Sequence, residues 1–546
     1  MLKKSVLSGF MIIILAVSLT AKADINGRII EVDDFRVLQL WGTHEEMGFA
    51  HGYLVGDEIT ELFEQYFMWV INPATYQNII LPVFRQLFTV PDIYQGELDG
   101  IISGIRAANI SLFSASLNRN LTSEDLAVVN SIVDFTQQTM GFDPEMFGCS
   151  SICGWGAGTE MDETVPGGTI HGRNLDWVDT PERILGRRSM IIAYLPSEPG
   201  RQPWFSVAFP GFVACLSGMN IHGLGATLNM GNHYVPPGSV SGIMPICFQL
   251  RDALEKTDPN NDGNHSYEDI WHVLSRNQRL PSTIIHAFHP FMQHSGTNEA
   301  SLVIESNHTG IIRRIPHDDP VLRPNFLAAT NHHRFLYPPV PCWRYEMIQT
   351  MIAETGVMDS ERAWEITDAV GGGWTLQTML FRPDIRDVLV SSTVDHIPAP
   401  QKTPSHLTWD EIFATPTPTP TPTPDTLYVH LELSDDLFQE NDDFLLTYLI
   451  GNPESENIEG NFWLILDVYG MYWFYPPWEQ IPEYIPFEIL SESVIGPITA
   501  LDFIWPENVQ GHASGLMFHA AVLTPDNDDI ESNLDTVIFG YGLFPL

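Results

Sequence analysis

The chain has 546 residues, too many for one hydrophobic core, because domains rarely exceed ~250 residues. Hydrophobic residues make up 44% and charged residues 17%, a composition that packs and excludes wholesale disorder. With 26 Lys+Arg against 68 Asp+Glu the net charge is −42, which repels phosphate backbones and anionic headgroups and argues against a nucleic-acid or membrane-surface partner. The five cysteines are odd in number, so in an oxidising compartment at least one has no partner within the chain.

Residues 1–23 read as a secretory signal: Lys3 and Lys4, an apolar run from Gly9 to Leu19, and the small-x-small site Ala21-Lys22-Ala23. The expectation is a protein secreted to the periplasm or the exterior, starting at Asp24, with no membrane span after cleavage. Gly27 to Trp41 alternates as a strand. Thr43-His44-Glu45-Glu46 is a capping box that opens a helix with Met47, Ala50, Leu54, Leu62 and Phe63 on its apolar side. Gly48, Gly52 and Gly56 inside it predict close packing against another element. A second capping box, Thr122 to Asp125, starts a helix that ends near Phe135.

From Cys149 the pattern turns to strands, at 169–177, 189–195, 205–214 and 223–230. Helices follow at 243–255, 267–277 and 342–355, with strands at 301–306, 310–314 and 327–331 between them. A helix near 360–370 and strands near 375–382 and 387–392 complete the region. Many strands with grouped helices predict an α+β class rather than a parallel βαβ chain.

Asp258-Pro-Asn260-Asn-Asp262-Gly263-Asn264-His-Ser266-Tyr-Glu-Asp269 matches a twelve-residue calcium loop at positions 1, 3, 5, 6, 7, 9 and 12. His265 at position 8 and an aspartate at position 12 depart from the usual pattern. The alternative is an Asn/Asp-rich turn with Ser266 as an N-cap. The structural ion under consideration is therefore Ca2+, and catalysis calls for no cofactor.

Residues 415–424 are five Thr-Pro pairs, an extended strut of roughly 30 Å at ~3.1 Å per residue. Beyond it, residues 425–546 hold 22 Asp+Glu and no Lys or Arg. Period-two runs such as Leu427 to Leu433 predict a small all-β sandwich domain there. Tyr472 to Tyr475 with Trp478 either fill its core or stack on sugars, which makes the tail a candidate binder of a surface or glycan.

The chemistry-bearing residues are Gly148-Cys149-Ser150-Ser151, then His171-Gly-Arg173-Asn174-Leu175-Asp176-Trp177, Asn229, Asn331 and Arg344. Together they resemble the cysteine N-terminal-nucleophile (Ntn) hydrolases of the acyl-coenzyme A:6-aminopenicillanic acid acyltransferase and carcinine hydrolase type. Acid ceramidase and bile-salt hydrolase are more distant cousins. The resemblance runs roughly from Asn26 to Ser392 and includes Gly42 to Gly48 and His51-Gly52. It implies a four-layer αββα core acting on a small-molecule linear amide, by hydrolysis or acyl transfer through a cysteine thioester. It also implies self-cleavage before Cys149, with residues 24–148 retained or released and 149–410 completing the catalytic core.

By the same resemblance Cys149 is the nucleophile, and its freed α-amine, of pKa near 7.7–8.0, is the base. Arg173 lies against the thiol and favours thiolate, while Asp176 holds the amine. Asn229 and Asn331 direct amide N–H groups at the oxyanion, and Arg344 orients the cysteine's neighbours. The stretch from Cys149 to Arg173 is longer than in the cousins and contains Cys153, Asp162 and Glu163. A zinc reading of Cys149 and Cys153 lacks a second ligand pair, and the adjacent His332 and His333 point different ways. Three rivals remain. A papain-like protease would need a Cys–His pair, a lysosomal-type lipid amidase would share the chemistry, and a binding or adhesion protein would carry an inactive core.

Overall fold

The computed structural model describes residues 25–139, 148–236, 240–292, 299–316, 322–413 and, with short breaks, 426–541. The expected signal at 1–23 and the Thr-Pro run at 415–424 lie outside these residues. The chain divides between 414 and 415 into two compact units, each with its own apolar core.

Two sheets carry the first unit. Their strands in chain order are β1 (Gly27–Val32), β2 (Phe35–Gly42), β3 (Cys149–Gly154), β4 (Ile170–Asp176), β5 (Met190–Pro196), β6 (Trp204–Ala208), β7 (Ser217–Asn220) and β8 (Gly225–Met230). After these come β9 (Thr283–Phe288), β10 (Ser301–Ser306), β11 (Ile311–Arg314), β12 (Phe326–Ala329), β13 (Thr375–Arg382), β14 (Asp387–Ser392) and β15 (Ser405–Thr408). The first sheet runs β1-β2-β5-β6-β7-β8-β9-β10-β11 and the second β12-β3-β4-β13-β14-β15. All neighbours are antiparallel except β2 and β5.

The sheets face each other across a polar seam, where Ser151 of β3 meets His286 of β9 and Arg173 of β4 meets Asn229 of β8. Helices lie on the outer sides. Helix α1 (His44–Glu61) packs on β2, and helices α5 (Trp343–Thr355) and α6 (Ser360–Val370) share an apolar cluster with Ile152 and Ile170 of the second sheet. Between them in sequence stand α2 (Asp92–Ala107), α3 (Ile246–Glu255) and α4 (Tyr267–Arg276).

Thr43 and Glu46 close the expected capping box on α1, which continues into a π-helical turn at Leu62–Phe67. Helix α2 is absent from the sequence reading, because Gly96, Gly100 and Gly104 each cost ~1 kcal/mol of helix propensity. Packing overrides that cost. A Cβ on Gly48 or Gly52 would fall 2.0 Å from the carbonyl oxygen of Glu97 or Ile101. One on Gly100 or Gly104 would meet the carbonyl of Glu45 or Phe49 at 2.3 or 2.0 Å. The α1 and α2 backbones therefore touch directly.

Two other elements end earlier than the sequence suggests. The helix begun at Ser123 stops at Val129, and a second begins at Ile132. The Asn130 side chain between them bonds the Gly211 carbonyl and the Ala214 amide. Strand β6 stops at Ala208 because Phe209-Pro210-Gly211 turns away, with Gly211 at φ +79°.

In the second unit, Tyr428–Leu433, Asp443–Asn452 and Ser493–Ile504 form one sheet. Another is centred on Ile458–Val468, paired with Met471–Tyr475, Ile485–Ile489 and Ala513–Leu523. Phe444, Phe462 and Phe518 share their core. Phe474 is buried beneath Trp463, whereas Trp473 and Trp478 border an apolar cleft of about 390 Å3 with Phe503 and Trp505.

The helix contact makes a paired prediction. Gly104→Ala should destabilise the unit by roughly 2 kcal/mol or more through overpacking against backbone. Gly96→Ala, with nothing within 4 Å of its new carbon, should be neutral or stabilising by about 0.5–1 kcal/mol. Chemical denaturation of both variants checks it; equal effects would mean the two backbones do not touch.

Candidate active site

Cys149 opens β3, and the antiparallel register places it opposite Leu175 of β4, so both side chains emerge on one face. Arg173, two residues back on β4, shares that face and is fully buried. Its Nη2 donates to the Leu228 carbonyl at 2.7 Å and lies 3.8 Å from Cys149 Sγ. Its Nη1 donates to Asn229 Oδ1 at 2.6 Å. Asn229 Nδ2 is buried and has no hydrogen-bond partner.

The backbone of Cys149 is held from two sides. Its N–H donates to Asn331 Oδ1 at 2.6 Å, while Asn331 Nδ2 donates to the Met230 carbonyl at 2.8 Å. The Gly148 carbonyl accepts from the Asp176 peptide N–H at 2.9 Å. The Asp176 carboxylate accepts from Thr375 Oγ1 at 2.6 Å and pairs with Arg344 Nη2 at 3.2 Å. Arg344, in the first turn of α5, also covers Gly148: a Cβ there would lie 2.2 Å from the guanidinium.

The other five expected residues thus gather around Cys149, with some partners exchanged. In the uncut chain the Cys149 nitrogen is a peptide amide, and its acceptor is Asn331 rather than Asp176. Asn331 supplies an oxygen to that nitrogen, while the Asn229 amide nitrogen is left without a partner. Burial raises the Cys149 pKa; Arg173 pulls it down, the direction expected of it, but does not cancel the rise. Burial likewise lifts Asp176 to about 6, against the pull of Arg344, the Thr375 hydroxyl and Arg173.

Beside the thiol, Leu175 forms part of the wall of an apolar cavity of about 80 Å3, with Phe63, Phe67, Trp177, Phe209 and Phe212. The Tyr66 hydroxyl there is already engaged, donating to the Val178 carbonyl and accepting from Trp177 Nε1. Sequence reasoning did not single out Thr375, the Gly148–Arg344 contact or Cys342. Cys342 stands at the N-cap position of α5, and its thiol donates to Thr330 Oγ1 at 3.5 Å. Burial pushes its pKa up, but His332, Thr330 and the Tyr345 amide bring it down to about 7. His333 turns the other way, to Ser282 Oγ at 2.7 Å, as expected for adjacent histidines.

Two groups could be considered for a metal. Ligand atoms of Cys153, His171 and His286 lie within 4.8 Å of one another, all buried. Both nitrogens of His286 engage hydroxyls, of Ser151 and Ser301, and His171 Nε2 engages that of Thr227, while His171 Nδ1 is buried without a partner. The cluster lies in the core between the sheets. The second group, Asp258, Asn260, Asp262, Asn264 and Asp269, forms a separate loop between α3 and α4.

Asp176 generates a pH prediction. Its folded pKa is raised, so its contribution is fully present below the unfolded value of 3.8 and is lost as pH rises through about 6. A shift of about two units corresponds to roughly 3 kcal/mol. In an uncut Cys149→Ala chain, the stability advantage of Asp176 over Asp176→Asn should therefore shrink between pH 4 and pH 6. Denaturant melts across that range check it, and a constant difference would contradict the assignment.

No family model matches the sequence, and no curated protein sequence does. Among solved structures, the chain is similar to a Caenorhabditis elegans N-acylethanolamine-hydrolyzing acid amidase ortholog at 18% identity and TM-score 0.32, covering 43% of this chain and 93% of that one. A conjugated bile acid hydrolase mutant from Clostridium perfringens matches at 11% identity and TM-score 0.31, covering 48% and 92%. Penicillin V acylase from Agrobacterium tumefaciens matches at 11% identity and TM-score 0.27, covering 45% and 84%.

Proposed function

We propose that the chain is a secreted, self-processing cysteine hydrolase of the N-terminal-nucleophile type. Its αββα core would be followed by a β-sandwich, residues 425–546, that binds a surface or glycan. The core breaks a linear N-acyl or other non-peptide amide, or passes the acyl group to an amine, through a thioester on Cys149. The observation that carries this reading is the handling of the Gly148–Cys149 peptide. Its carbonyl oxygen takes the Asp176 N–H, its nitrogen is bonded to Asn331, and the Cys149 sulfur sits beside Arg173.

Processing follows from that arrangement. Cys149 Sγ adds to the Gly148 carbonyl carbon, polarised by the Asp176 N–H, and the C–N bond breaks as the nitrogen takes up the proton. Water then hydrolyses the thioester, releasing the Gly148 carboxylate and leaving Cys149 with a free thiol and α-amine. In turnover the amine takes the thiol proton and the sulfur attacks the substrate carbonyl. Asn229 Nδ2 donates to the oxyanion, a role worth ~3–4 kcal/mol. The leaving amine receives the proton, and water or a second amine resolves the thioester. The cavity beside Leu175 suits an apolar acyl group.

Intact mass should show a new terminus at Cys149. Cys149→Ala should be uncut and inactive, Cys149→Ser slowly cut with little turnover, and Asp176→Asn folded but slower by ~10²–10⁴-fold on N-acyl amides. An uncut Cys149→Ala chain hydrolysing at the wild-type rate would sink the mechanism and favour an unrelated site.

Gly148→Ala tests processing separately from turnover. The added methyl displaces the Arg344 guanidinium from the scissile peptide, so self-cleavage should slow by about tenfold or more, ~1.4 kcal/mol of barrier. Once cut, residue 148 no longer occupies that position, and mature kcat should equal the wild type. Unchanged cleavage kinetics would show that Arg344 does not constrain the precursor.

A further inference from the structure

The connection between α3 and α4 has no role in the Cys149 chemistry, yet it is the most elaborately built loop of the first unit. It starts three residues after Glu255, the end of α3, and closes within the first turn of α4 at Asp269. Gly263, at the sixth position, has φ +77° and no atom within 4 Å of where a Cβ would stand, the backbone a tight wrap requires. Around it the Asp258 carboxylate accepts from the amides of Asp262 and Gly263 at 3.2 and 2.9 Å, and Asn260 Oδ1 accepts from Asp262 N at 2.8 Å.

A separate observation points to a ligand. Asp269 is fully buried, although aspartate is almost never so unless it is paired. One of its oxygens, Oδ2, takes the Ser266 N–H at 3.2 Å in the capping box of α4. The other, Oδ1, is buried with no hydrogen-bond partner. Asp258 and Asp262 act on the same carboxyl electrostatically, and both are acidic; the Asn260 backbone N–H also turns toward it. An N-cap needs only one oxygen of its N3 carboxylate. The turn accounts for Ser266 and for one oxygen of Asp269, while Oδ1 is left buried beneath two further acids without a well-formed hydrogen bond.

We infer that this loop is a calcium site, with Asp258, Asn260, Asp262 and Asp269 as side-chain ligands and Asn264 offering its backbone carbonyl. An all-oxygen set of carboxylates, an amide and a carbonyl on a twelve-residue wrap suits Ca2+. Mg2+ demands a smaller octahedron and retains its waters. Three carboxylates against two positive charges leave the occupied loop close to neutral.

The site also has a structural reach. His265 in the loop stacks on His222 with ring centroids 3.5 Å apart and planes 3° from parallel. His222 lies in the turn between β7 and β8, and β8 carries Leu228 and Asn229 into the Cys149 centre. Calcium would thus brace the strand that holds Arg173 from the opposite sheet.

The test uses the full chain, stripped with chelator and titrated with CaCl2 or MgCl2 by calorimetry and thermal melting. Expected are a Ca2+ dissociation constant of ~10⁻⁴–10⁻³ M, a raised melting temperature, and a Mg2+ response at least tenfold weaker. Asp262→Ala and Asp258→Ala, both outside the buried core, should weaken binding by about tenfold or more while keeping the fold. Amide exchange across 217–230 should slow on adding calcium. Should Asp269→Asn fail to fold, those two variants decide alone. Absence of binding at about 10 mM Ca2+, wild-type binding by Asp262→Ala, or an equal Mg2+ response would each overturn the assignment.

Discussion

Everything at the centre of the first unit depends on one buried guanidinium. Arg173 sits between two sheets where water does not reach, and an uncompensated charge there would cost several kcal/mol. Its two Nη atoms are met by a carbonyl and a side-chain oxygen from β8, on the opposite sheet, and Nη2 also faces the Cys149 sulfur, while Nε has no partner. The same contacts that make Arg173 tolerable also fix the distance between the sheets at the point where Cys149 stands. Losing the β8 contacts would strand a charge in the interior, so stability and site geometry are coupled through this residue.

The electrostatic state follows from that position. A nearby cation alone would lower the thiol pKa, but burial acts on the thiolate more strongly, and the net direction is upward. The intact chain therefore holds its sulfur as a thiol. A free α-amine at the same residue would change this without moving any side chain, since it would introduce a proton acceptor where a peptide nitrogen now stands. Asp176, lifted to about 6 by burial and tied to Arg344 and Thr375, stands beside that position.

The six side chains were legible through the family resemblance, and several of the elements that carry them also had strong local signals. Arg173 and Asp176 lie on a run with clear strand character, and Arg344 follows the N-cap of α5. What local signals could not supply is who bonds whom. Asn331 exchanges roles with Asp176 because the loop after β12 brings it to the Cys149 nitrogen, a contact 182 residues apart in sequence. Thr375 escaped notice because a threonine at a strand start is ordinary, and only the β4–β13 register sets it against Asp176. Helix α2 was hidden because its glycines count against a helix locally, while their purpose lies on another helix.

That glycine contact has a consequence for the cavity beside Cys149. Backbone against backbone leaves no side-chain layer to compress, so α1 and α2 behave as a single stiff plank. Phe63 and Phe67, on the π-turn that prolongs α1, inherit that stiffness and make one wall of the cavity unyielding. The opposite wall is the Phe209–Phe212 turn, whose path is set by Gly211 and one asparagine side chain. Changes in the size of that cavity would accordingly be written into four residues of a turn, leaving the helical scaffold untouched.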